Sequence, residues 1–122
     1  MSSYGSHMSQ LQEVFRPSTR LEPADIRFVA AIADRPVGMV ELTGSHVSNL
    51  FVDPAYQGQG IGAALLARAE AAVGGDVTLS VFTVNPRARR LYERLGYEVE
   101  GVARIDFYGA ATEVWRMRKR AR

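Results

Sequence analysis

Residues 26–33 alternate apolar and polar, with Ile26, Phe28, Ala30 and Ile32 on one side, which is the period of a half-buried strand. Asp34-Arg35-Pro36 predicts a turn and residues 37–42 the return strand of a hairpin. Thr43-Gly44-Ser45 predicts a second turn, and residues 46–52 a third strand stopped by Asp53-Pro54. Helical spacing replaces alternation over residues 61–73, where Ile61, Leu65, Ala69 and Val73 fall in line and Gly74-Gly75 ends the run. Residues 77–84 predict a strand. Asn85 then reads as an N-cap and Pro86 as the first position of a helix whose Ala88, Leu91, Tyr92 and Leu95 share a face, closed by Gly96. Residues 97–105 and 112–117 predict a final hairpin turning near Gly109. Ahead of all these, residues 9–16 read as a short helix: Leu11, Val14 and Phe15 share a face, Ser9 and Gln12 form a capping box, and Pro17 is the stop. The order predicts a mixed α/β fold on a largely antiparallel sheet.

The chain has 122 residues, 47% hydrophobic and 23% charged, which is one domain of ordinary globular composition. Gly5-Ser6-His7-Met8 looks like the remnant of an expression tag, so residues 1–7 are set aside and 8–122 taken as the domain. The absence of cysteine excludes disulfides, thiolate metal sites and thiol catalysis, and two histidines argue against a metal centre. No apolar run is long enough to span a membrane and no signal stretch opens the sequence, so the expected compartment is the cytoplasm. The net charge of +2 comes from the end of the chain. Arg116, Arg118, Lys119, Arg120 and Arg122 lie in the last seven positions, and without them ten basic residues face thirteen acidic ones. Such a tail could touch nucleic acid, but a solvated end is the preferred explanation.

The segment from Leu50 to Gly62 is a strand, a turn and then glycines at a helix start. Gly58, Gly60 and Gly62 let the backbone bend and approach a ligand, and the first amides of the helix have no internal partner. An anion site, a pyrophosphate cradle without basic side chains, is preferred over a bare turn. It is not a dinucleotide fingerprint, because position 63 is Ala63, and no Gly-Lys-Ser/Thr follows as in a nucleotide-binding P-loop.

Gln57-x-x-Gly60-x-Gly62, preceded by Leu50-x-Val52-x-Pro54 and followed by Leu65-Leu66, resembles the acetyl-CoA motif of the GNAT N-acetyltransferase superfamily. Asn85-Pro86-x-Ala88-x-x-Leu91-Tyr92-x-x-Leu95-Gly96-Tyr97 is similar to that family's second signature, in the right order and at about the right gap. The resemblance covers residues 26 to about 118. It implies a twisted, mostly antiparallel sheet splayed at the acetyl-CoA site, with helices on both faces. It also implies acetyl transfer from acetyl-CoA to a primary amine by direct attack in a ternary complex, with no metal.

Carried over residue by residue, the resemblance implies that pantetheine pairs with Leu50, Phe51 and Val52. One of their N–H groups would polarise the thioester carbonyl. The pyrophosphate would lie on the amides of Gln57, Gly58, Gln59, Gly60, Ile61, Gly62 and Ala63. Asn85 and Ala88 would hold the pantetheine or acetyl end, and Tyr92 would protonate the departing thiolate. Strand parity places His46, Ser48, Leu50 and Val52 on one side, and family members carry a general base at the position of His46. Glu41 is the rival base, with Glu113 and Asp106 behind it. The bland alternatives are a histidine that merely opens a strand and a glutamate facing solvent. The family's usual opening, a strand and two helices, is shortened here, because only residues 8–25 precede Ile26. An open acceptor side, a wall supplied by a second subunit, or loss of the usual first strand with a degenerate acceptor site would each follow. Exposed aromatics on the final hairpin, which carries Phe107, Tyr108 and Trp115, would favour a homodimer. The rival functions are a non-catalytic acyl-CoA-binding accessory module and, least favoured, a nucleic-acid-binding module.

Overall fold

The computed structural model describes residues 11–17 and 25–121, with side chains from residue 26 onward. The chain divides into two compact units, residues 1–74 and 75–122. In the first, strands β1 (Leu11–Pro17), β2 (Asp25–Ile32), β3 (Arg35–Thr43) and β4 (His46–Val52) pair in sequence order, each antiparallel to the next. A 3-10 turn (Pro54–Tyr56) leads from β4 towards helix α1 (Ile61–Val73). α1 buries Ile61, Leu65, Leu66 and Ala69 against the sheet. Phe28, Val40 and Leu42 form the facing layer, and the Arg68 guanidinium lies 4.8 Å from the Phe28 ring centre.

Two expectations change in this unit. The helix expected over residues 9–16 is instead a strand over 11–17, and Ser9 of its capping box lies outside the described residues. Two turns of weak 3.6-residue periodicity cannot nucleate a helix alone, whereas pairing with β2 satisfies the backbone of every second residue at once. A first strand is therefore present ahead of β2. The turn expected at 34–36 sits at Ala33 (φ 51°) and Asp34 (φ 65°), with Arg35 and Pro36 already in β3. Positive φ at both central residues is the type I′ turn, whose twist matches that of the two strands.

Gly38 is the tightest point of the first unit. A Cβ built there would lie 2.8 Å from the Phe51 carbonyl oxygen and 3.2 Å from Leu65 Cδ1. A glycine inside a strand lets a neighbouring backbone come close, and here β4 and α1 both do.

In the second unit, β5 (Val77–Phe82) leads to helix α2 (Pro86–Arg94) and then to the hairpin β6 (Glu98–Phe107) and β7 (Ala110–Lys119). Strand order is β5-β7-β6, all antiparallel, and Val77, Leu79, Val81, Val114, Met117 and Tyr97 make the core. The hairpin turns at Tyr108 (φ 50°) and Gly109 (φ 84°), as expected. β5 ends two residues sooner than expected, because the Asn85 N–H donates to the Phe82 carbonyl at 2.9 Å and closes a turn through Thr83 and Val84. At the other end of β5, the Asp76 carboxylate ties down the chain terminus. It accepts from the Ala121 N–H at 2.8 Å and pairs with Arg118 at 3.5 Å.

Two outcomes are expected. Gly38→Ala should cost about 1–3 kcal/mol of stability through overpacking against the Phe51 carbonyl; an unchanged urea midpoint would contradict this. The Ala121 N–H, and then the Arg118 and Arg120 guanidiniums, hold the Asp76 carboxyl below its ordinary value against a smaller opposing effect of burial. Its stabilisation is present above the unfolded value of about 3.9 and is lost as pH falls through the lower folded value. The melting-temperature gap between wild type and Asp76→Ala should therefore be constant from neutral pH to about 5 and shrink below about 4; a gap independent of pH would refute it.

Candidate functional site

The phase of β4 is set by one extra residue. β4 pairs Asn49 with Glu41 but Val47 with Leu42, so Ser48 is a β-bulge. Parity across the bulge is broken. His46 falls on the face of Thr43, Glu41 and Asn49, and not with Leu50 and Val52 as unbroken alternation would have it. Beyond the bulge, the Asp53 N–H donates to the Val37 carbonyl at 2.8 Å. Val37/Asp53 and Met39/Phe51 are then the hydrogen-bonded pairs, and the N–H and C=O of Leu50 and Val52 point away from β3. Of the three residues expected to meet pantetheine, Leu50 and Val52 turn their N–H groups away from β3, and the Val52 carbonyl accepts from Gln57. Phe51 spends its own on β3, and its side chain is 55% exposed.

The loop after β4 is stiffer than its glycines suggest. Asp53 Oδ1 accepts from the Ala55 N–H at 2.9 Å, the Tyr56 N–H donates to the Asp53 carbonyl at 2.8 Å, and Gln57 Nε2 donates to the Val52 carbonyl at 3.2 Å. Gln57 thus braces the loop on β4 with its side chain. Gly58 (φ 79°) and Gly60 (φ 82°) take left-handed conformations, and Gly60 is the N-cap of α1 with no side-chain acceptor to give. The amides of Ile61, Gly62 and Ala63 are left at the positive end of the helix without a cap. Gly62 is not demanded by the fold, since a Cβ there would meet Val52 Cγ2 at an ordinary 3.6 Å. Its missing side chain keeps the first turn of α1 bare of a methyl on the side that meets Val52.

The second unit holds the other group of candidates. The Asn85 carboxamide oxygen caps α2 by accepting from the Ala88 N–H at 3.1 Å. The Asn85 oxygen and the Ala88 N–H, both expected to face the pantetheine or acetyl end, are thus spent on each other. At the far end, the Tyr97 N–H donates to the Tyr92 carbonyl and the Gly96 N–H (φ 99°) to that of Glu93, at 3.0 and 3.1 Å, the two bonds of a Schellman motif. The Tyr92 and Tyr97 rings meet edge-to-face at 6.0 Å, and Tyr97 is only 1% exposed. The helix terminator thus aims Tyr92 through both backbone and ring. Burial pushes the Tyr92 phenol above its ordinary value, so it remains a proton donor at neutral pH.

The candidate bases separate. Glu41 does not face solvent: it is 2% exposed, and both carboxylate oxygens are engaged. Arg27 Nε donates to Oε2 at 3.0 Å, with Nη2 alongside, and Asn49 Nδ2 donates to Oε1 at 2.7 Å. His46 is half-buried at the start of β4. Glu113 is exposed and accepts from the Thr83 hydroxyl at 3.1 Å, and Asp106 is exposed near the hairpin tip. The sequence reading passed over Gly38, Arg27 and Asn49, and named Tyr97 only as the end of the second signature. Only Gly38 carried a readable signal, a glycine inside a strand pattern.

Residues 23–99 match the family model described as an acetyltransferase (GNAT) domain, a stretch that runs across both units. A peptidyl-lysine N-acetyltransferase, YjaB of Salmonella typhimurium, is 33% identical over 108 residues, 88% of this chain and 70% of that protein. The N-alpha-acetyltransferase RimI of Mycobacterium tuberculosis is 39% identical over 74 residues, 60% of this chain and 47% of that protein, so the match spans about half of that relative's length. The solution structure of apo YjaB from Escherichia coli superposes with a TM-score of 0.69 at 28% identity, covering 84% of this chain and 67% of that one. Both glycine-loop and Asn85–Tyr97 signatures fall within or against the matched stretch, and the chain belongs to the GNAT acetyltransferase family, whose members move an acetyl group from acetyl-CoA to an amine.

Proposed function

We propose that this chain acetylates a polypeptide amine, a lysine side chain before a chain terminus, by direct attack of the neutral amine on acetyl-CoA. The observation that carries it is a run of backbone N–H groups in the first unit, turned away from β3 at Leu50 and Val52 and then left without a side-chain cap at the start of α1. Such a run suits a ligand that is amide-like along one stretch and anionic at the next. Pantetheine takes the β4 edge and the pyrophosphate the helix N-terminus. The lysine preference rests on the likeness to YjaB of Salmonella typhimurium, a peptidyl-lysine N-acetyltransferase of which this chain covers 70%.

In the reaction the amine nitrogen forms a C–N bond with the acetyl carbon, the C–S bond breaks, and the amine proton is lost. An N–H of Leu50 or Val52 polarises the carbonyl. Tyr92 donates a hydrogen bond to the departing sulfur. A thiol ionises near 8.5 and a phenol near 10, and burial raises the phenol further, so complete transfer of its proton is uphill and stabilisation comes from donation. His46 is the β4 group whose ordinary pKa suits receipt of the amine proton through water. Glu41, with both oxygens engaged, is not that base. Phe107 and Tyr108, exposed at the β6–β7 tip, support a contact between two copies there.

Tyr92→Phe should slow turnover more than about tenfold with acetyl-CoA binding nearly intact, the usual size of a lost acid–base partner being about 10²–10⁴. Because the Tyr92 pKa is raised, loss of its proton should not depress the wild-type rate below about pH 10. Unchanged turnover in the variant would remove Tyr92 from this role. Gly62→Ala should leave thermal stability equal or slightly higher, since alanine is the better helix former, yet weaken CoA binding by about tenfold or more, each 1.4 kcal/mol of lost contact being tenfold. Calorimetric titration with CoA decides it, and equal affinities would mean the space over Gly62 is not the pyrophosphate site.

A further inference from the structure

Glu41 is a charged residue that the sheet buries and that the proposed reaction does not use. A buried carboxylate is costly unless its partners are well placed, and the partners here share a pattern. Arg27 on β2, Glu41 on β3 and Asn49 on β4 are directly opposite one another in the strand register. The Arg27 guanidinium holds Oε2 and the Asn49 amide N–H holds Oε1. The residue just before Asn49 is Ser48, the extra residue of the bulge. The Ser48 hydroxyl donates to the main-chain carbonyl of Glu41 at 3.3 Å, and the Thr43 hydroxyl donates to Ser48 Oγ at 3.2 Å. Glu41 therefore grips both the bulged residue, through its backbone, and the residue that follows, through its side chain.

The consequence lies two residues on. A one-residue slip in a strand exchanges both its faces and its edges. With the bulge at Ser48, Leu50 and Val52 turn their backbone groups away from β3, and Val52 faces α1 at Gly62. Without it Phe51 would present the amide, and the Phe51 side chain, now exposed, would turn into the space beside α1.

We propose that Glu41, clamped by Arg27 and clamping Asn49, is a positioning residue that locks the Ser48 bulge and so selects Leu50 and Val52 as the β4 residues whose backbone meets the acyl-CoA. The inference rests on the function proposed above and extends it to the device that sets the site's phase. The glutamate acts through the strand and does not touch the reacting atoms.

Asn49 is exposed, so its replacement removes one hydrogen bond to Glu41 and leaves the Arg27–Glu41 ion pair in place, and a urea titration of the variant checks that it remains folded. The experiment compares wild type with Asn49→Ala by amide hydrogen exchange without ligand and by calorimetric titration with CoA. In the wild type the Phe51 amide, paired with Met39, is protected. Asn49→Ala should lower that protection about tenfold or more and weaken CoA binding by a similar factor, up to the roughly 10²-fold that a misplaced group costs. In parallel, Glu41→Gln should leave the acid limb of the kcat/KM pH profile where it is, as a positioning role requires. Phe51 protection and CoA affinity both unaltered by Asn49→Ala would overturn the clamp, and lost protection with unaltered affinity would overturn its link to the ligand. Loss of the acid limb in Glu41→Gln would make Glu41 the base instead. Titration of the wild type with CoA tests the underlying function separately: if it does not bind, that function fails, whatever the exchange shows.

Discussion

Backbone hydrogen bonding in an antiparallel strand alternates, so each residue either spends its N–H and C=O on one neighbour or keeps them for the opposite edge. In β4 that choice is made at Ser48. The bulge turns Leu50 and Val52 outward and Phe51 back towards β3, and Asp53 then reaches Val37 to begin the glycine loop. The loop, the uncapped end of α1 and the strand edge follow one another along a single stretch of chain. What that stretch can offer a ligand depends on the count of residues before it.

The candidate site of the first unit is built chiefly from missing side chains and backbone amides. Gly38 lets β4 and α1 approach β3, Gly60 withholds a capping oxygen, and Gly62 leaves room that the fold itself does not require. Backbone dipoles held in a rigid frame provide charge stabilisation without the conformational entropy of long basic side chains. The buried Arg27–Glu41–Asn49 set is consistent with that economy. Its net contribution to stability is modest at best, since desolvation offsets most of the attraction. Its physical value is register, because only one alignment of three strands brings the guanidinium, carboxylate and carboxamide together.

The second unit uses capping to the same end. Asn85 ends its own strand-to-helix turn and caps α2, while the Schellman bonds from Gly96 and Tyr97 fix the other end at Tyr92. A phenol placed one turn from a helix end would ordinarily fray with it. The edge-to-face packing on the buried Tyr97 ring removes that freedom and, by excluding water, raises the phenol's pKa.

Much was legible from the sequence alone. Alternation gave β2 to β4, helical spacing gave α1, Asn85-Pro86 and Gly96 gave both ends of α2, and two spaced signatures gave the family. These features are local, carried by residues whose conformational preference does not depend on distant partners. Three things were not local. Residues 11–17 became a strand because β2 offered a partner for their backbone. Glu41 became a buried clamp because register set it between Arg27 and Asn49. His46 changed face because a bulge has no signature in a parity count. The sequence determined which segments form and what chemistry they carry. Tertiary pairing decided which face and which amides they present, because strand register is an energy shared between chains of residues far apart in sequence.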